Sequence, residues 1–362
     1  MKNRKELILS IVLIVVCVLV SSLFNKKSEY IHYTFFMKND NNYNLYDSNG
    51  KKLLDDNLIY AERFNDDYTL IVNEKNECAI IDKNGNFIIN YGEYDKIEEY
   101  GRLYLAYKGE DIILITGNNK LIRKVEDKKE LVSNIVHNYA VLLYDGNYNV
   151  YNSNGDVIFS RKYKKKKQLI LKESTNYGLI YYDGKEYLFN INSTEYEERD
   201  TKIVSDIEEF YDILLVTGET NRVYYEKQRV IDDIKCAIDG DKPKIDGESR
   251  ILCSEEVIYE PDYLKTIKDY KTIDNYGEYF IACNEKCDLF RKNEKILKNY
   301  DEIKIIKTNI NDYFYVKKGK NNIILNNEYK TVYSSIKDIK LEKNYINVNN
   351  KLYTFDGNEI NI

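Results

Sequence analysis

The sequence contains no tryptophan, only two prolines and only two histidines among its 362 residues. His32 and His137 lie far apart in the chain, which argues against a histidine-based metal centre and against most histidine-dependent catalysis. Apolar residues at helical spacing are scarce over most of the chain, so little helix is expected. Tyrosine is abundant, with 36 residues, and Asn-Gly and Asp-Gly pairs recur. This composition favours β-structure.

The chain is moderately acidic, with 54 basic and 60 acidic side chains and a formal net charge of −6. Residues 1–27 hold five of the cations and one of the acids, which leaves 49 basic and 59 acidic side chains in residues 28–362, a net charge of −10. Non-specific nucleic-acid binding depends on neutralising phosphates. No nucleic-acid partner is therefore expected.

The one long apolar run is residues 7–24, LILSIVLIVVCVLVSSLF, which contains no charged residue. A helix of this length is about 27 Å long, close to the hydrocarbon thickness of a bilayer. Val20-Ser21-Ser22 is a poor signal-peptidase site, and Val16 before Cys17 does not suit a lipoprotein. A retained transmembrane signal anchor fits best. The extra cations in residues 1–6 favour a cytoplasmic N-terminus, with residues 25–29 as a short linker and the remainder outside the cell membrane.

Five cysteines lie outside the apolar run. An odd number of cysteines does not indicate a disulfide framework. Cys283 and Cys287 flank a three-residue turn in the stretch YFIACNEKCDLF. Residues that face each other across such a turn can meet the geometry of a disulfide, so this pair is predicted to be bonded in exported protein. The absence of a second pair or of a nearby histidine argues against zinc.

Self-similarity gives the strongest indication of the fold. A strand ending in an aromatic or aliphatic pair, a polar turn and a second apolar strand recur, most often with 34 to 38 residues between equivalent positions. The copies are residues 43–54, 78–89, 112–125, 148–159, 187–198, 223–232, 287–298, 323–332 and 352–362, with a decayed tenth at 250–259.

A second turn precedes each copy and a further apolar stretch follows it, so each unit is expected to hold about four short strands. Units of this kind cannot bury their apolar faces alone and must stack on neighbours. We therefore predict an all-β repeat domain over residues 30–362, made of about nine or ten short four-stranded units. A β-propeller is the leading arrangement, and an open stacked array is the alternative.

The copy at residues 77–100, ECAIIDKNGNFIINYGEYDKIEEY, resembles the bacterial WG-repeat (KWG-repeat) family. The matching positions are Ile80, Ile81, Asp82, Gly85, Ile88, Ile89, Tyr94, Asp95 and Ile97. The copy at 43–64 shares Leu45, Tyr46, Asp47, Gly50, Leu53 and Leu54. The Trp-Gly pair that defines the family is absent. The resemblance implies a β-repeat array used for binding, and it implies no catalytic residues.

Two further features bear on function. Asp47-Ser48-Asn49-Gly50 and Asp82-Lys83-Asn84-Gly85 superficially suggest calcium loops, but glycine comes fourth instead of sixth. We therefore interpret them as hairpin turns. Arg161, Lys162, Lys164, Lys165, Lys166 and Lys167 form the only strong charge run, named here the cationic linker. It could contact an anionic wall polymer or lipid headgroups, or it could simply be a solvated loop that deters edge pairing.

The carboxylates are numerous but dispersed, and no spacing selects a catalytic pair. Neither catalytic residues nor a metal or cofactor are predicted, and the protein is not expected to be an enzyme. The leading hypothesis is a non-enzymatic extracytoplasmic binding or scaffold module, whose partner is a protein or an envelope polymer. The alternatives are a structural accessory of a membrane or envelope complex and, less favoured, a hydrolase or lyase on a propeller.

Overall fold

The structure is a computed structural model, and the elements it describes are antiparallel β-strands with one short 3₁₀ turn. It describes residues 33–39, 42–54, 57–61, 64, 67–132, 138–190, 193–210, 213–225, 228–232, 234–236, 242–246, 250–253, 256–261, 269–276, 278–292 and 294–360. The predicted anchor at residues 7–24 lies outside these ranges. Within them, no helix is long and apolar enough to cross a membrane.

The described residues form nine antiparallel sheets, in each of which sequence neighbours pair. Sheet 1 comprises β1 (Thr34–Asn39), β2 (Asn42–Asp47), β3 (Leu58–Ala61), β4 (Tyr68–Asn73), β5 (Cys78–Asp82) and β6 (Phe87–Ile89). Sheet 2 comprises β7 (Lys96–Tyr100), β8 (Leu103–Lys108), β9 (Asp111–Ile115) and β10 (Leu121–Val125), and sheet 3 comprises β11 (Ala140–Tyr144), β12 (Asn147–Tyr151) and β13 (Val157–Lys162). A single 3₁₀ turn, Lys128–Glu130, lies between sheets 2 and 3 in this part of the chain.

Sheet 4 comprises β14 (Ile170–Glu173), β15 (Tyr177–Tyr182), β16 (Lys185–Asn190) and β17 (Tyr196–Asp200), and sheet 5 comprises β18 (Asp206–Phe210), β19 (Ile213–Thr217), β20 (Arg222–Tyr225) and β21 (Gln228–Ile231). Sheet 6 comprises β22 (Lys244–Ile245), β23 (Ile251–Cys253) and β24 (Glu256–Tyr259), and sheet 7 comprises β25 (Thr272–Asn275), β26 (Tyr279–Cys283), β27 (Cys287–Arg291) and β28 (Glu294–Tyr300). Sheet 8 comprises β29 (Glu302–Lys307), β30 (Asp312–Lys318), β31 (Asn321–Leu325) and β32 (Thr331–Ser335), and sheet 9 comprises β33 (Lys340–Leu341), β34 (Ile346–Val348) and β35 (Lys351–Tyr353).

The sheets follow the repeat copies and form a β-propeller, which confirms the predicted all-β propeller fold. Sheet 1 contains two copies, 43–54 and 78–89, and its two halves are joined through a single pairing of β2 with β3, Tyr43 with Leu58. The decayed copy at 250–259 forms β23 and β24, so its assignment as a repeat was correct. Sheets 3, 6 and 9 have three named strands instead of the expected four.

The hairpin turns are held by the residue that opens each turn. Asp82 Oδ1 accepts hydrogen bonds from the backbone N–H groups of Asn84 and Asn86 at 2.8 and 2.9 Å, and Gly85 adopts a φ of +82°. Glycine reaches this conformation without steric cost. Asn152 binds Asn154 and Asp156 in the same way. These side-chain oxygens accept hydrogen bonds from the backbone of their own turn. This supports the interpretation of the segments as hairpin turns and not as calcium loops.

The core lies between the sheets, because the central strands are buried on both faces. In β19, Ile213 and Leu215 pack toward sheet 6, whereas Leu214 and Val216 pack toward sheet 4. A strand covered on both faces is apolar without interruption. The four-residue run ILLV is therefore typical of a central strand that fills two inter-sheet cores.

The ring of sheets closes where Tyr33, which directly precedes β1, meets sheets 8 and 9. The Tyr33 ring lies 5.5 Å from the rings of both Tyr313 and Phe355, and its hydroxyl accepts the Phe355 N–H at 2.5 Å. Asn358 Nδ2 donates to the carbonyl of Ser48 at 3.0 Å. Among the described strands, none is exchanged between sheets 1 and 9. Closure of the ring therefore rests on side-chain packing, and we name this contact region the seam.

Candidate ligand-binding cavity

A cavity of about 550 Å³ opens between sheet 4 and β20 of sheet 5. This volume lies within the range of about 300–1,000 Å³ that is usual for small-ligand sites. Four of its nine lining residues are aromatic and one is leucine, and the other four carry carboxylate, amide or hydroxyl groups. The lining residues are Tyr177, Leu188, Phe189, Asn190, Ser193, Glu195, Tyr196, Glu197 and Tyr224.

A buried ionic cluster lies next to this cavity. Arg222, at the start of β20, is 1% exposed and pairs through Nη2 with Glu186 Oε1 of β16. The other oxygen of Glu186 accepts a hydrogen bond from the Ser205 hydroxyl at 2.5 Å. Burying a charge is costly unless it is paired and hydrogen-bonded. The position of each of these groups is therefore fixed by the others.

The cluster extends to the cavity wall through Glu197. Tyr224 donates its hydroxyl to Glu197 Oε2 at 2.7 Å, and the guanidinium groups of Arg199, Arg222 and Arg229 lie 2.6, 3.4 and 3.2 Å from Oε1. Burial alone would raise the pKa of Glu197, but the hydrogen bonds from Tyr224 and Arg199 and the charges of Arg199 and Arg222 lower it overall. Glu197 is therefore held ionised.

Tyr196, the first residue of β17, is the one lining residue with a large exposed aromatic surface, at 39% of its area. Its ring packs edge-on against Tyr187 at 5.4 Å, and its hydroxyl accepts a hydrogen bond from Arg161 at 3.1 Å. These contacts fix the orientation of the ring. Among the residues that line this cavity, Tyr196 is therefore the aromatic side chain with an accessible face.

Two further cavities differ in character. One, of about 410 Å³, lies at the other end of the same sheet pair and includes Glu186, Ser205 and Glu219, so the ionic cluster separates two openings. The other, of about 340 Å³, lies among sheets 1, 2 and 3 and includes Arg102, Tyr104 and Lys120. The first cavity described is the largest of the three and has the most aromatic wall.

Cys283 and Cys287 face each other at the end of the β26–β27 hairpin, where they are directly paired across the strands. Their sulfur atoms lie 2.08 Å apart. A second pair, Cys236 and Cys253, is also at bonding distance and was not foreseen. Cys78 is the remaining described cysteine and is buried. The oxidation state of both pairs in exported protein stays a prediction.

The cationic linker runs from the end of β13 into the connection to β14. Arg161 contacts Glu198 at 3.5 Å, and Lys164 and Lys167 both bind Asp183. Hydrogen bonds from these two lysines lower the pKa of Asp183. Lys162, Lys165 and Lys166 have no ion-pair partner within the described part of the chain. Half of the run is therefore engaged within the fold and half is available to solvent.

The residues of the cavity were not singled out from the sequence. The sequence did carry one indication, at Glu186. When the copies are aligned on their turns, Glu186 falls at the position occupied by Cys78 and Ile112, which are buried at 8% and 7% exposure. A carboxylate at a buried repeat position requires a partner. Nothing local identifies Arg222 as that partner, since it lies 36 residues away. The described residues contain no group of three or more His, Cys, Asp or Glu side chains arranged to hold a metal.

No protein-family model matches the chain, and no curated protein matches it significantly, so the resemblance to the WG repeat stays a prediction. Solved structures give only distant similarities. A eukaryotic initiation factor is 10% identical, with a TM-score of 0.37 over 89% of this chain and 97% of that one. PorZ, a surface component of the Porphyromonas gingivalis type-IX secretion system, is 9% identical, with a TM-score of 0.22 over 88% and 62%. Similarities this distant carry no argument about what the protein binds or does.

Proposed function

We propose that this protein is a non-enzymatic binding module whose ligand site is the cavity between sheets 4 and 5. The observation that carries the proposal is the pre-organised cavity wall. Glu197 and Tyr224 are fixed by a buried ionic cluster, and Tyr196 is fixed by Tyr187 and Arg161. Groups already held in place lose little conformational entropy when a ligand binds.

Binding is favoured over catalysis by the state of Glu197, one of the two carboxylates that line the cavity. A general acid that works near neutral pH needs a raised pKa, whereas the pKa of Glu197 is lowered and both of its oxygens are engaged. Among the described lining residues, the Tyr224 hydroxyl lies beside a carboxylate, Glu197, but burial raises the pKa of Tyr224, which disfavours its use as a nucleophile. The site therefore has the features of a recognition surface.

The binding proposal is tested by affinity capture from cell-envelope extracts with the full chain as bait. A Tyr196→Ala, Glu195→Ala variant should lose a partner that the wild type captures reproducibly. Tyr60→Ala is the matched control, because Tyr60 is also 39% exposed but lies on β3, away from the cavity. Turnover of a glycan, peptide or phosphoester by the purified protein, abolished by one carboxylate substitution, would overturn the proposal.

The location of the module is a second part of the proposal. We propose that residues 7–24 form a retained signal anchor with the repeats outside the cell, because the run is uncharged and the cations are more numerous on its N-terminal side. Protease added to intact cells should then digest the repeats. Repeats that stay protected until the membrane is opened, with Ile362 labelled only from the cytoplasm, would reject this orientation.

We also propose that the three solvent-available lysines of the cationic linker contact an anionic envelope surface. Lys162, Lys165 and Lys166 have no carboxylate partner in the described part of the fold, unlike Lys164 and Lys167. Replacing these three by Gln should weaken binding to anionic vesicles and reduce its salt dependence. A variant that binds as strongly as the wild type at low salt would refute the contact.

A further inference from the structure

We propose that the cavity between sheets 4 and 5 binds an uncharged pyranose unit of a glycan. The inference rests on the binding function proposed above and adds the chemical class of the ligand. Three properties of the described cavity support it: one open aromatic face, charges of both signs close together around the wall, and polar groups of the kind that bind hydroxyls.

The open aromatic face belongs to Tyr196. A pyranose ring presents a patch of axial C–H groups that packs flat against an aromatic ring, and this packing requires a ring that is both accessible and fixed. Tyr196 is 39% exposed and is held by Tyr187 and Arg161. Tyr177 and Tyr224 also line the cavity but are only 8% and 5% exposed. They therefore complete the wall, and Tyr196 provides the platform.

The charges around the cavity disfavour ionic ligands. A cation would be drawn to Glu195 and Glu197, but it would be repelled by the three guanidinium groups that lie within 3.4 Å of the Glu197 carboxylate. An anion would be drawn to those guanidinium groups, but Glu186 and Glu197 already occupy Arg222, and Glu195 adds a negative charge at the rim. Ligands of either charge therefore meet groups of their own sign, and an uncharged ligand avoids both repulsions.

The remaining lining groups suit a ligand with many hydroxyls. Glu195 contributes a carboxylate, Asn190 an amide and Ser193 a hydroxyl, all lining the same cavity as Tyr196. An ionised carboxylate only accepts hydrogen bonds, whereas an amide and a hydroxyl both donate and accept them. Together these groups can bind sugar hydroxyls, each of which donates and accepts. The Glu195 carboxylate makes no ion pair or hydrogen bond with another side chain in the described ranges, so it can accept from a ligand.

Matched oligosaccharides of different charge test the inference. The full chain, in a detergent without a sugar headgroup, is titrated with N-acetylglucosamine hexamer, mannose and glucose hexamers, the cationic glucosamine hexamer and the anionic galacturonate hexamer. Binding is followed by calorimetry and by saturation-transfer NMR. At least one uncharged oligomer should bind, and the glucosamine and galacturonate hexamers should bind more weakly or not at all.

Variants link the binding to the cavity. Tyr196→Ala should weaken binding of the uncharged oligomer by about tenfold or more, as loss of an aromatic stacking surface typically does, while Tyr60→Ala leaves it unchanged. The inference fails if none of the uncharged oligomers binds at millimolar concentration, if a charged one binds best, or if Tyr60→Ala weakens binding equally. If the envelope partner still depends on Tyr196 and Glu195 in that case, only the ligand class is wrong and the binding function stands.

Discussion

At the scale of single residues, the ionic cluster of Arg222 is the most unusual feature of the described core. A buried ion pair is a weak source of net stability, because desolvating both charges offsets most of their attraction. Losing one partner is different, since it leaves the other charge buried and uncompensated. Glu186 is 3% exposed and Arg222 is 1% exposed, so neither can recover solvation without rearrangement of sheets 4 and 5.

Arg222→Met is accordingly expected to lower the free energy of unfolding by about 3–5 kcal/mol, measured by chemical denaturation followed by circular dichroism. Arg291→Met is the control, because Arg291 pairs with Glu278 at an exposed position and should cost no more than about 1 kcal/mol. Adding Glu186→Leu to Arg222→Met should recover much of the loss. Equal effects of Arg222→Met and Arg291→Met would show that burial of the cluster has no energetic consequence.

Glu197 makes the stability of the folded protein depend on pH, and the lowered pKa of its carboxyl gives the sign of that dependence. Its pKa is lower in the folded protein than the reference value of 4.5, so the unfolded chain takes up the proton first as the pH falls. The stability that Glu197 contributes is therefore complete above pH 4.5 and is lost as the pH falls through its folded pKa. The difference in thermal midpoint between wild type and Glu197→Gln should be largest near pH 7 and should shrink toward pH 3. A difference that grows on acidification would contradict this assignment.

At the scale of single elements, hairpins and their turns carry most of the local information. Cys283 and Cys287 show this, since Cys283 is the last residue of β26, Cys287 is the first residue of β27, and the two pair directly across the hairpin. Cys236 and Cys253 are instead 17 residues apart in sequence and meet in the core between sheets 5 and 6, next to Ile251. One pairing follows from a turn, and the other requires the stacking of two sheets.

Both cysteine pairs are expected to be oxidised in protein recovered from the cell surface. Intact-mass measurement before and after reduction, with mapping of alkylated sites, should show both bonds. Cys78, which is buried, should react only after unfolding. Recovery of Cys283 and Cys287 as free thiols from the oxidised preparation would reject the predicted pair, and this outcome is independent of Cys236 and Cys253.

At the scale of the whole repeat domain, the seam distinguishes this ring from one closed by a shared strand. Many small contacts close it, including the Tyr33, Tyr313 and Phe355 rings. It also includes a close backbone approach, because a Cβ added at Gly50 would lie 2.6 Å from the carbonyl oxygen of Glu359. The turn at Gly50 therefore serves both its own hairpin and the closure of the ring.

Gly50→Ala and Gly184→Ala form a matched pair that isolates the contribution of the seam. Both glycines have a φ near +80°, so alanine incurs similar backbone strain at each, but a Cβ at Gly184 meets nothing within 4 Å. Gly50→Ala should therefore lower the thermal midpoint further than Gly184→Ala and should cost about 1–3 kcal/mol more. Limited proteolysis should show new cleavage near both ends of the domain in Gly50→Ala alone. Equal destabilisation by the two variants would argue against seam packing as the closing contact.

The sequence determined the parts of this protein that depend on residues close together in the chain. Turn chemistry at Asp82 and Gly85 and the repetition of strand pairs predicted the hairpins, and the number of copies predicted the nine sheets to within one. The same local reasoning identified Cys283 and Cys287 as residues that face each other, because only a three-residue turn separates them. In each case the controlling interactions span fewer than about ten residues and leave a readable pattern.

Tertiary structure alone decided the features that join distant residues. The composition and repeats left a closed ring and an open stack as alternatives, because closure depends on Tyr33 meeting Phe355, which lies 322 positions further along the chain. The candidate cavity depends on Glu186, Glu197 and Arg222 meeting across two sheets, and on which of the 36 tyrosines is exposed beside them. A period in the sequence fixes which residues face a neighbouring sheet, but the identity of the opposing side chain is fixed only when the sheets stack.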